Sequence, residues 1–428
     1  RQDEDVLDTW FSSWLWPISV FDGFRNKEEI DYYYPTSVLV TGWDIIFLWV
    51  ARMIMAGYEW MGEKPFNDVY FTGMVRDKMR RKMSKSLGNS PDALALIDQF
   101  GADGVRYGIM ASAPAGGDIL FDEKLCELGR NFCNKVWNAL RLVKSWQVDP
   151  SLPHDDGRAI AILWMKSRLS EVDTELRRHY QQFRLSEGVT SLYSFVWDDF
   201  CSVFLEVIKP AYGEASDQKS YDATLELFEE ICKLLHPFMP FITEEIWSYL
   251  PDTSSRLVRA NWPEYTEEEI SEEAEENIEF IMEAVRSIRN TRAEMNVLPS
   301  RKARAIFIPS NTKARLFIES GEKYFSTLAN ITEVKIVNDK KEIGEDTASS
   351  VIDGTEIYLP LADLIDYEKE IERLEKEKTR LEGELKRVND KLNNERFMSK
   401  APENVVNEEK EKLQKYQMMM EKVLERLE

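Results

Sequence analysis

The feature that most restricts the fold is a strand–helix–strand unit near the start of the chain. Thr36–Gly42 is a short apolar run that ends in glycine, which predicts a buried strand. Trp43–Met55 is typical of an apolar helix, and Asp68–Gly73 predicts a second strand. Strands joined through a helix run parallel, because the crossover returns the chain to the same end of the sheet. We therefore predict half of an open, doubly wound α/β sheet with ligand loops at the carboxyl ends of its strands.

The second predicted strand leads into a strongly basic segment. Arg76–Lys85 contains six lysine or arginine side chains and one aspartate, although the chain of 428 residues has a net charge of −22. Lys82 and Lys85 lie three residues apart among small hydroxyl residues, and Gly88 precedes a Ser-Pro-Asp helix start. Such a loop can place ammonium groups on a polyphosphate. The alternative is a basic run that is simply solvated.

The composition is that of a globular protein of several domains. Hydrophobic residues make up 43% of the chain and include 12 tryptophans. The four cysteines form no Cys-x-x-Cys pair and the three histidines lack metal-ligand spacing, so we expect reduced thiols and no metal site. No apolar run is long enough for a membrane span and no signal peptide opens the chain, which predicts a cytoplasmic protein without membrane contacts.

Two motifs resemble class I aminoacyl-tRNA synthetases, and among them the valyl-tRNA synthetase family. The segment Lys82-Met83-Ser84-Lys85-Ser86 is identical to the lysine signature of the class. Asp8–Ser13 and Thr41–Met53 resemble the valyl enzymes, whereas the isoleucyl and leucyl relatives carry different residues after the corresponding aspartate. An isoleucyl- or leucyl-type synthetase is the minor alternative.

The resemblance implies sites for two substrates. The five residues Lys82–Ser86 would bind ATP, which travels with Mg²⁺, and Lys82 and Lys85 would be the catalytic lysines that stabilise charge on pyrophosphate. Trp10, Ile45 and Trp49 would line a pocket for the valine side chain, where rigid indole faces exclude larger substrates by overlap. The alternative for each of these three residues is an ordinary place in the core.

The other class I signature, His-x-Gly-His, is absent from the sequence. In the family this motif belongs to the first half of the nucleotide-binding fold, and an editing domain is inserted between the halves. The resemblance therefore covers the C-terminal half of a valyl enzyme, and the chain begins with Arg1 rather than methionine. We expect a fragment that does not form valyl-adenylate alone.

The middle of the chain predicts an antiparallel bundle of helices. Phe121–Trp146 is amphipathic, and its predicted apolar face consists of Leu125, Leu128, Phe132, Val136, Ala139 and Val143. A stripe opposite to this face, suited to an unpaired RNA base, consists of Arg130, Asn134, Trp137 and Arg141. The alternative for Trp137 is packing against another helix. Further helices are predicted at Ala159–Gln182, Leu185–Ile208 and Tyr221–Leu235.

Two segments of this region, Asn131–Asn138 and Leu235–Trp247, resemble the anticodon-binding bundle of the valyl, isoleucyl and leucyl group. The resemblance implies that the partner is the tRNA for valine. It does not tell which residues contact the anticodon.

The last third predicts a small mixed domain. Residues 264–283 carry ten glutamates and no lysine or arginine. The helix Ile278–Met295 then carries Arg286, Arg289 and Arg292, which either bind phosphate or pair with acidic residues. Strands are predicted at Arg304–Ile308, Glu333–Val337 and Thr355–Leu359, and a mobile loop at Asn338–Gly354.

Residues 365–428 contain two heptad runs separated by Ala401-Pro402. The runs are Ile371, Leu374, Leu381, Leu385, Val388 and Leu392, with Lys378 at one core position, and then Val406, Leu413, Tyr416, Met420, Val423 and Leu427. We predict an antiparallel coiled coil within one chain, because proline breaks the helix between the runs. The resemblance implies a tRNA-binding arm.

Together these patterns predict four domains. They are half of a catalytic domain (1–120), an anticodon-binding bundle (121–262), a helix with a small α/β domain (263–364) and a coiled-coil arm (365–428). The predicted function is that of a monomeric valine–tRNA ligase. A noncatalytic RNA-binding or scaffold protein, or a dimer formed through the coiled coil, are the alternatives.

Overall fold

The computed structural model describes residues 2–21, 25, 27–114, 116–251, 255–265, 270–295, 297–298, 300–344, 346–364, 367–394 and 403–427. The chain divides into two compact units, residues 1–278 and 279–428. Within the described ranges no helix is both long enough and apolar enough to cross a membrane.

The first unit contains the predicted strand–helix–strand element. Three short helices precede it, α1 (Thr9–Ser13), α2 (Trp16–Ser19) and α3 (Lys27–Tyr33). Strands β1 (Thr36–Gly42) and β2 (Phe66–Thr72) are parallel, as predicted. The connection between them is less regular than the predicted helix Trp43–Met55. It has a 3-10 turn at Trp43–Ile45, a π-helical turn at Ile46–Val50 and helix α4 (Ala51–Trp60).

The basic segment lies between two further elements of this unit. It follows the short strand β3 (Val75–Arg76) and precedes helix α5 (Ala93–Phe100), whose N-cap residue Asp92 accepts a hydrogen bond of 2.8 Å from Leu94 N. Helix α6 (Ala102–Ala111) and strand β4 (Ile119–Leu120) follow, and β4 is parallel to β3.

The bundle of the first unit begins with helix α7 (Glu123–Lys144). Its other members are α8 (Asp156–Gln181), α9 (Leu185–Ser194), a π-helical segment (Phe195–Phe204), α10 (Leu205–Ile208), α11 (Gln218–Leu235) and α12 (Pro240–Trp247). On α7, four predicted core positions are buried, but Leu125 and Leu128 are only partly buried. Cys126 and Gly129 are buried in their place because α6 packs against them. A Cβ atom at Gly129 would lie 2.6 Å from the carbonyl oxygen of Gly104.

A buried carboxylate joins two helices of the bundle. Asp217, the N-cap residue of α11, accepts hydrogen bonds from Ser220 N at 2.9 Å, Ser220 Oγ at 2.6 Å and Arg158 at 2.8 Å, and lies 3.0 Å from His154 Nδ1. Burial alone raises the pKa of Asp217, but the hydrogen bonds from Ser220, His154 and Arg158 outweigh it and lower this pKa to about 2. The aspartate is therefore ionised and fully paired inside the bundle.

The second unit is built on a four-stranded mixed sheet. Helix α13 (Glu272–Glu294) contains the division between the units, and strand β5 (Ala303–Ile308) follows it. Helices α14 (Thr312–Ser320) and α15 (Glu322–Ala329) then connect β5 to the parallel strand β6 (Ile331–Ile336). Strands β7 (Thr347–Ile352) and β8 (Thr355–Pro360) complete the sheet in the order β6-β5-β8-β7, and the short helix α16 (Leu361–Leu364) follows.

The prediction of a mobile loop at Asn338–Gly354 is wrong. It contains a 3-10 turn at Lys340–Glu342 and strand β7, which forms an antiparallel hairpin with β8. The turn between these strands is Asp353-Gly354, where both residues have positive φ angles, 40° and 74°. A two-residue Asp-Gly turn is a strong hairpin signal, and the polar composition of β7 concealed it.

The three arginines of α13 all donate to backbone carbonyl oxygens. Arg289 Nε donates a hydrogen bond of 2.7 Å to Leu328, and the guanidinium of Arg292 donates to Arg301. Burial lowers the pKa of Arg292. Arg286 is exposed, and its Nε donates a hydrogen bond of 3.3 Å to Met282 of the same helix. The contacts of Arg289 and Arg292 are structural, and phosphate binding by the exposed Arg286 and Arg289 stays a prediction.

The last two helices lie against each other. Leu381 of α17 (Tyr367–Leu392) is fully buried against Tyr416, Met419 and Met420 of α18 (Glu403–Leu427). Further along α17, Lys391 Nζ lies 3.4 Å from Glu409, which comes earlier in α18 than Tyr416. The two helices therefore run in opposite directions. The predicted Ala401-Pro402 break and the side chains of Ile371, Leu374, Val423 and Leu427 lie outside the described residues.

Candidate functional site

The basic loop is fixed at its start by Asp118, which directly precedes β4. Asp118 forms an ion pair with Arg76 and accepts a hydrogen bond of 3.1 Å from Met74 N. The hydrogen bond from Arg76, followed by that from Met74, lowers the pKa of Asp118. The loop therefore leaves β3 in a defined direction.

A second aspartate organises the loop itself. Asp77 Oδ1 accepts hydrogen bonds from the backbone N–H groups of Met79 at 3.0 Å and Arg81 at 2.9 Å. Its Oδ2 accepts from Arg81 Nε at 2.8 Å and from Asn89 Nδ2 at 3.0 Å. The hydrogen bond from Asn89, together with those from Arg81, lowers the pKa of Asp77 to about 2. This single acid of the basic segment is thus ionised and fully used.

Asn89 connects the two ends of the loop. While its Nδ2 donates to Asp77, its Oδ1 accepts a hydrogen bond of 3.0 Å from Ser84 N. Nδ2 also lies 3.3 Å from the carbonyl oxygen of Lys82. The amide side chain therefore holds the backbone on both sides of Met83.

These contacts decide which side chains of the lysine signature reach solvent. Met83 is partly buried and packs on the cluster formed by Leu96, Phe100, Val105, Phe121 and Cys126. Lys82 is exposed, and no carboxylate among the described residues pairs with it. Ser84 Oγ lies 3.1 Å from Ser86 Oγ and accepts from Leu87 N at 3.3 Å. Lys85 begins a 3-10 turn, and its side chain lies outside the described part of the chain.

A cleft of about 480 Å³ lies beside the loop. Asp77, Met83 and Asn89 form one wall, and α7 contributes Arg130, one of the four residues of the predicted RNA-binding stripe. Its guanidinium lies 3.6 Å from Glu127 and 5.7 Å from the ring centroid of Phe100. The structure therefore places Arg130 beside the loop.

The remaining residues of that stripe have different surroundings. Trp137 is half-buried and packs edge-on against Tyr249, with the ring centroids 5.6 Å apart at 79°. This geometry favours the packing interpretation for Trp137. Asn134 and Arg141 are exposed, so a role in binding RNA stays a prediction for them.

The predicted valine-pocket residues lie in α1 and in the 3-10 and π-helical turns that precede α4. Trp49 Nε1 donates a hydrogen bond of 3.0 Å to the carbonyl oxygen of Ser13, and its ring stacks on Trp16 at 5.6 Å. The guanidinium of Arg52 lies over the ring of Trp10. Ile45 is partly exposed at the end of the 3-10 turn. No contact with a ligand tests these three residues, and their role stays a prediction.

Two polar atoms near this aromatic group were missed by sequence reasoning. Thr41, at the carboxyl end of β1, is 6% exposed, and Trp14 packs on the core cluster of Leu39 and Val50. Thr41 Oγ1 and Trp14 Nε1 are buried and have no hydrogen-bond partner among the described residues. A pattern of residue types gives no signal for an unpaired buried atom, because pairing depends on the fold. The described residues also contain no group of three potential metal ligands.

Comparison with known proteins divides the chain into three matched regions. Residues 1–122 match tRNA synthetases class I (I, L, M and V), and residues 163–307 match the anticodon-binding domain of tRNA ligase. Residues 366–428 match the valyl tRNA synthetase tRNA binding arm.

Two similar curated relatives carry the same name. The valine–tRNA ligase of Parabacteroides distasonis is 48% identical over 416 residues, which cover 96% of this chain and 46% of that protein. The valine–tRNA ligase of Clostridium perfringens is 45% identical over 435 residues, which cover 100% of this chain and 49% of that protein. The solved LeuRS–tRNA–LeuAMS complex of Agrobacterium radiobacter K84 is 21% identical with a TM-score of 0.48, over 63% of this chain and 34% of that one. The chain spans about half the length of the curated relatives it matches, and it belongs to the valyl-tRNA synthetase family.

Proposed function

We propose that this chain is part of a valine–tRNA ligase, which activates valine with ATP and transfers it to the tRNA for valine. The observation that carries the proposal is the loop Lys82–Ser86. Its single neighbouring acid, Asp77, is saturated by hydrogen bonds, while Lys82 extends into solvent without a carboxylate partner among the described residues. A cation left free in this way suits a polyphosphate ligand.

The reaction assigns the loop an electrostatic task. The valine carboxylate attacks the α-phosphate of ATP, forming valyl-adenylate and releasing pyrophosphate. Lys82 and Lys85 stabilise the negative charge that develops on pyrophosphate, and Mg²⁺ accompanies ATP. A loop whose backbone is already fixed meets this charge with little reorganisation.

The valine side chain is proposed to bind among Trp10, Ile45 and Trp49. The hydrogen bond of Trp49 to Ser13 and its stacking on Trp16 orient one indole, which supports its use as a rigid wall. Arg52 lies over the ring of Trp10, the other indole of the proposed pocket. A tight apolar box of this type selects a short branched side chain by size.

The rest of the chain is proposed to bind tRNA. The bundle would contact the anticodon stem through exposed residues such as Asn134 and Arg141. Helices α17 and α18 would form an intramolecular coiled coil that braces the tRNA, in a monomeric, cytoplasmic enzyme. Because the sequence contains no His-x-Gly-His motif, we propose that this chain alone does not form valyl-adenylate.

ATP binding by the loop is tested with two lysine variants. Lys82→Ala should weaken ATP binding to this chain about tenfold, because a charge-assisted contact to phosphate is removed. Lys64→Ala, which removes an exposed lysine outside the loop, should leave the affinity unchanged. Equal affinities for the wild-type chain and Lys82→Ala in calorimetric titrations would reject the loop as the ATP site.

Binding of tRNA is tested across a salt series with the tRNA for valine and a noncognate tRNA. Preferential binding of the valine tRNA, retained as salt rises, is expected if the bundle and the α17–α18 pair recognise it. Equal, weak and salt-sensitive binding of both would show that discrimination requires parts outside this chain.

A further inference from the structure

We propose that Asp77 and Asn89 are positioning residues that hold the Lys82–Ser86 segment in one conformation before a polyphosphate binds. This inference rests on the proposed function of the loop. The two side chains do not themselves face the ligand in this scheme; they act through the backbone of the lysine signature.

Asp77 and Asn89 lie at the two ends of the loop. Asp77 opens the loop and Asn89 closes it, and the hydrogen bond between Asn89 Nδ2 and Asp77 Oδ2 joins the two ends at 3.0 Å. Arg81 donates to the same carboxylate from both its backbone N–H and its Nε, which places Lys82 next to the joined ends. A loop closed at its base has fewer conformations to lose when a ligand orders it.

The Asn89 amide both donates and accepts hydrogen bonds, and the loop uses both functions. Asn89 donates to Asp77 and approaches the carbonyl oxygen of Lys82, and at the same time its Oδ1 accepts from Ser84 N. A carboxylate in this place would accept from Ser84 but could not donate to Asp77. An asparagine opposite an aspartate is therefore the combination that closes the loop and fixes both sides of Met83.

The two carboxylate oxygens of Asp77 accept from different kinds of donor. Oδ1 serves two backbone N–H groups, those of Met79 and Arg81, whereas Oδ2 serves the side chains of Arg81 and Asn89. An asparagine at position 77 can keep the first pair through its own oxygen, but it presents N–H donors to the second pair. Asp77→Asn thus disconnects Asn89 while the turn at residues 77–81 keeps its backbone bonds.

Exchanging the two side chains tests whether their hydrogen bond closes the loop. Asp77→Asn and Asn89→Asp each remove the hydrogen bond that closes the loop, and Asn89→Asp also sets two carboxylates against each other. The double variant can form this hydrogen bond again in the reverse direction. An amide at position 77 donates to a carboxylate at position 89, which still accepts from Ser84 N. The double variant should therefore recover much of what each single variant loses.

Loop order is measured first without ligand, by limited trypsin digestion of the whole chain. Five cleavage sites lie in the loop, after Lys78, Arg80, Arg81, Lys82 and Lys85. Each single variant should be cleaved there about tenfold faster than the wild type, since loss of a charge-assisted hydrogen bond opens the loop more often. The double variant should fall within about threefold of the wild type.

Two controls separate this role from a general loss of structure. Asp98→Asn removes the same charge from an exposed residue of α5 and should leave loop cleavage unchanged. The thermal unfolding midpoint of the single variants should fall by no more than about 2–4 °C, since only the contacts of one loop are lost, and the double variant should regain it. A larger fall in the midpoint, with faster cleavage outside the loop as well, would make Asp77 and Asn89 ordinary structural residues and overturn the inference.

ATP binding is measured second, on the same proteins. Each single variant should bind ATP about tenfold more weakly than the wild type, because ATP binding must then supply the free energy that orders the open loop. The double variant should recover its affinity for ATP. Wild-type cleavage rates in both single variants would overturn the inference whatever their ATP affinity. A wild-type chain that does not bind ATP would reject the proposed function, and the cleavage rates would still decide whether Asp77 and Asn89 order the loop.

Discussion

Asp77 in the loop and Asp217 in the bundle both have a lowered pKa, although their hydrogen-bond partners lie in different parts of the fold. Both carboxylates accept several hydrogen bonds, and both have a pKa lowered to about 2. The partners of Asp77 lie within residues 79–89 of its own loop. Asp217, whose side chain is 1% exposed, connects α11 to Arg158 of α8 and to His154. A low pKa therefore shows that a carboxylate is well paired, but it does not show how much of the fold depends on it.

The difference lies in what each network holds together. Water competes for the exposed partners of Asp77, and breaking its contacts frees only a loop. When the Asp217 network is broken, the mostly buried Arg158 keeps one carboxylate partner among the described residues, the half-exposed Asp155. A buried guanidinium that has lost its main partner destabilises the bundle. We expect Asp217 to control the stability of the first unit and Asp77 to control local order where a ligand binds.

The largest effect should come from Asp217→Asn. Removing this charge should lower the free energy of unfolding of the first unit by about 3 kcal/mol, because Arg158 loses its buried partner. Asp77→Asn should lower the free energy of unfolding much less, because water replaces the contacts that its loop partners lose. Urea denaturation of both variants measures the contrast, and equal losses would erase the distinction between the two aspartates.

A smaller effect is expected when acid removes the contribution of Asp217 to stability. Because the folded-state pKa of Asp217 lies below its ordinary value of 3.8, its contribution to stability is present above about pH 4 and is lost as pH falls through about 2. The contribution should amount to about 2 kcal/mol at pH 5 and less than about 1 kcal/mol at about pH 2.5. The measurement compares unfolding of the wild type and Asp217→Asn at both pH values. A gap between them that does not narrow in acid would contradict the assignment.

Sequence patterns predicted the parts of this molecule that local periodicity determines. The parallel pair β1 and β2 and the continuous helical stretch Leu185–Ile208 agree with the prediction, because apolar spacing encodes each of them directly. The lysine signature was also recognised, because its five residues are contiguous in the sequence.

Features that depend on chain reversal were missed. Asp77 was visible as the single acid in a basic run, but its bond to Asn89 becomes apparent only when the loop is closed. For Trp137 the sequence left two interpretations, a nucleobase contact and packing against a neighbouring helix, and the contact with Tyr249 favours packing. Strand β7 was hidden by its polar residues, among them Ser350, whose Oγ accepts a hydrogen bond of 2.7 Å from Ser287 Oγ of α13.

Trp137 offers a test of the bundle as a packed region. Trp137→Ala should lower the free energy of unfolding of the first unit by about 1–2 kcal/mol, because the edge-on contact with Tyr249 and its buried area are lost. Affinity for the valine tRNA should stay the same. Arg141→Ala, an exposed position on the same helix, should do the opposite by weakening tRNA binding without loss of stability. Reduced tRNA affinity in Trp137→Ala at unchanged stability would restore the base-stacking interpretation.

The smallest effect should come from the backbone of the loop. Arg80 has a φ angle of 62°, and its N–H donates a hydrogen bond of 2.8 Å to the carbonyl oxygen of Asp77. A residue with a Cβ atom is strained in this left-handed conformation by about 1 kcal/mol, whereas glycine is not. Arg80→Gly should therefore slow tryptic cleavage after Lys82 and Lys85 about threefold relative to Arg80→Ala, which removes the same charge but keeps the Cβ atom. Equal cleavage of the glycine and alanine variants would mean that strain at Arg80 does not limit loop order, and that the Asp77 and Asn89 contacts alone determine it.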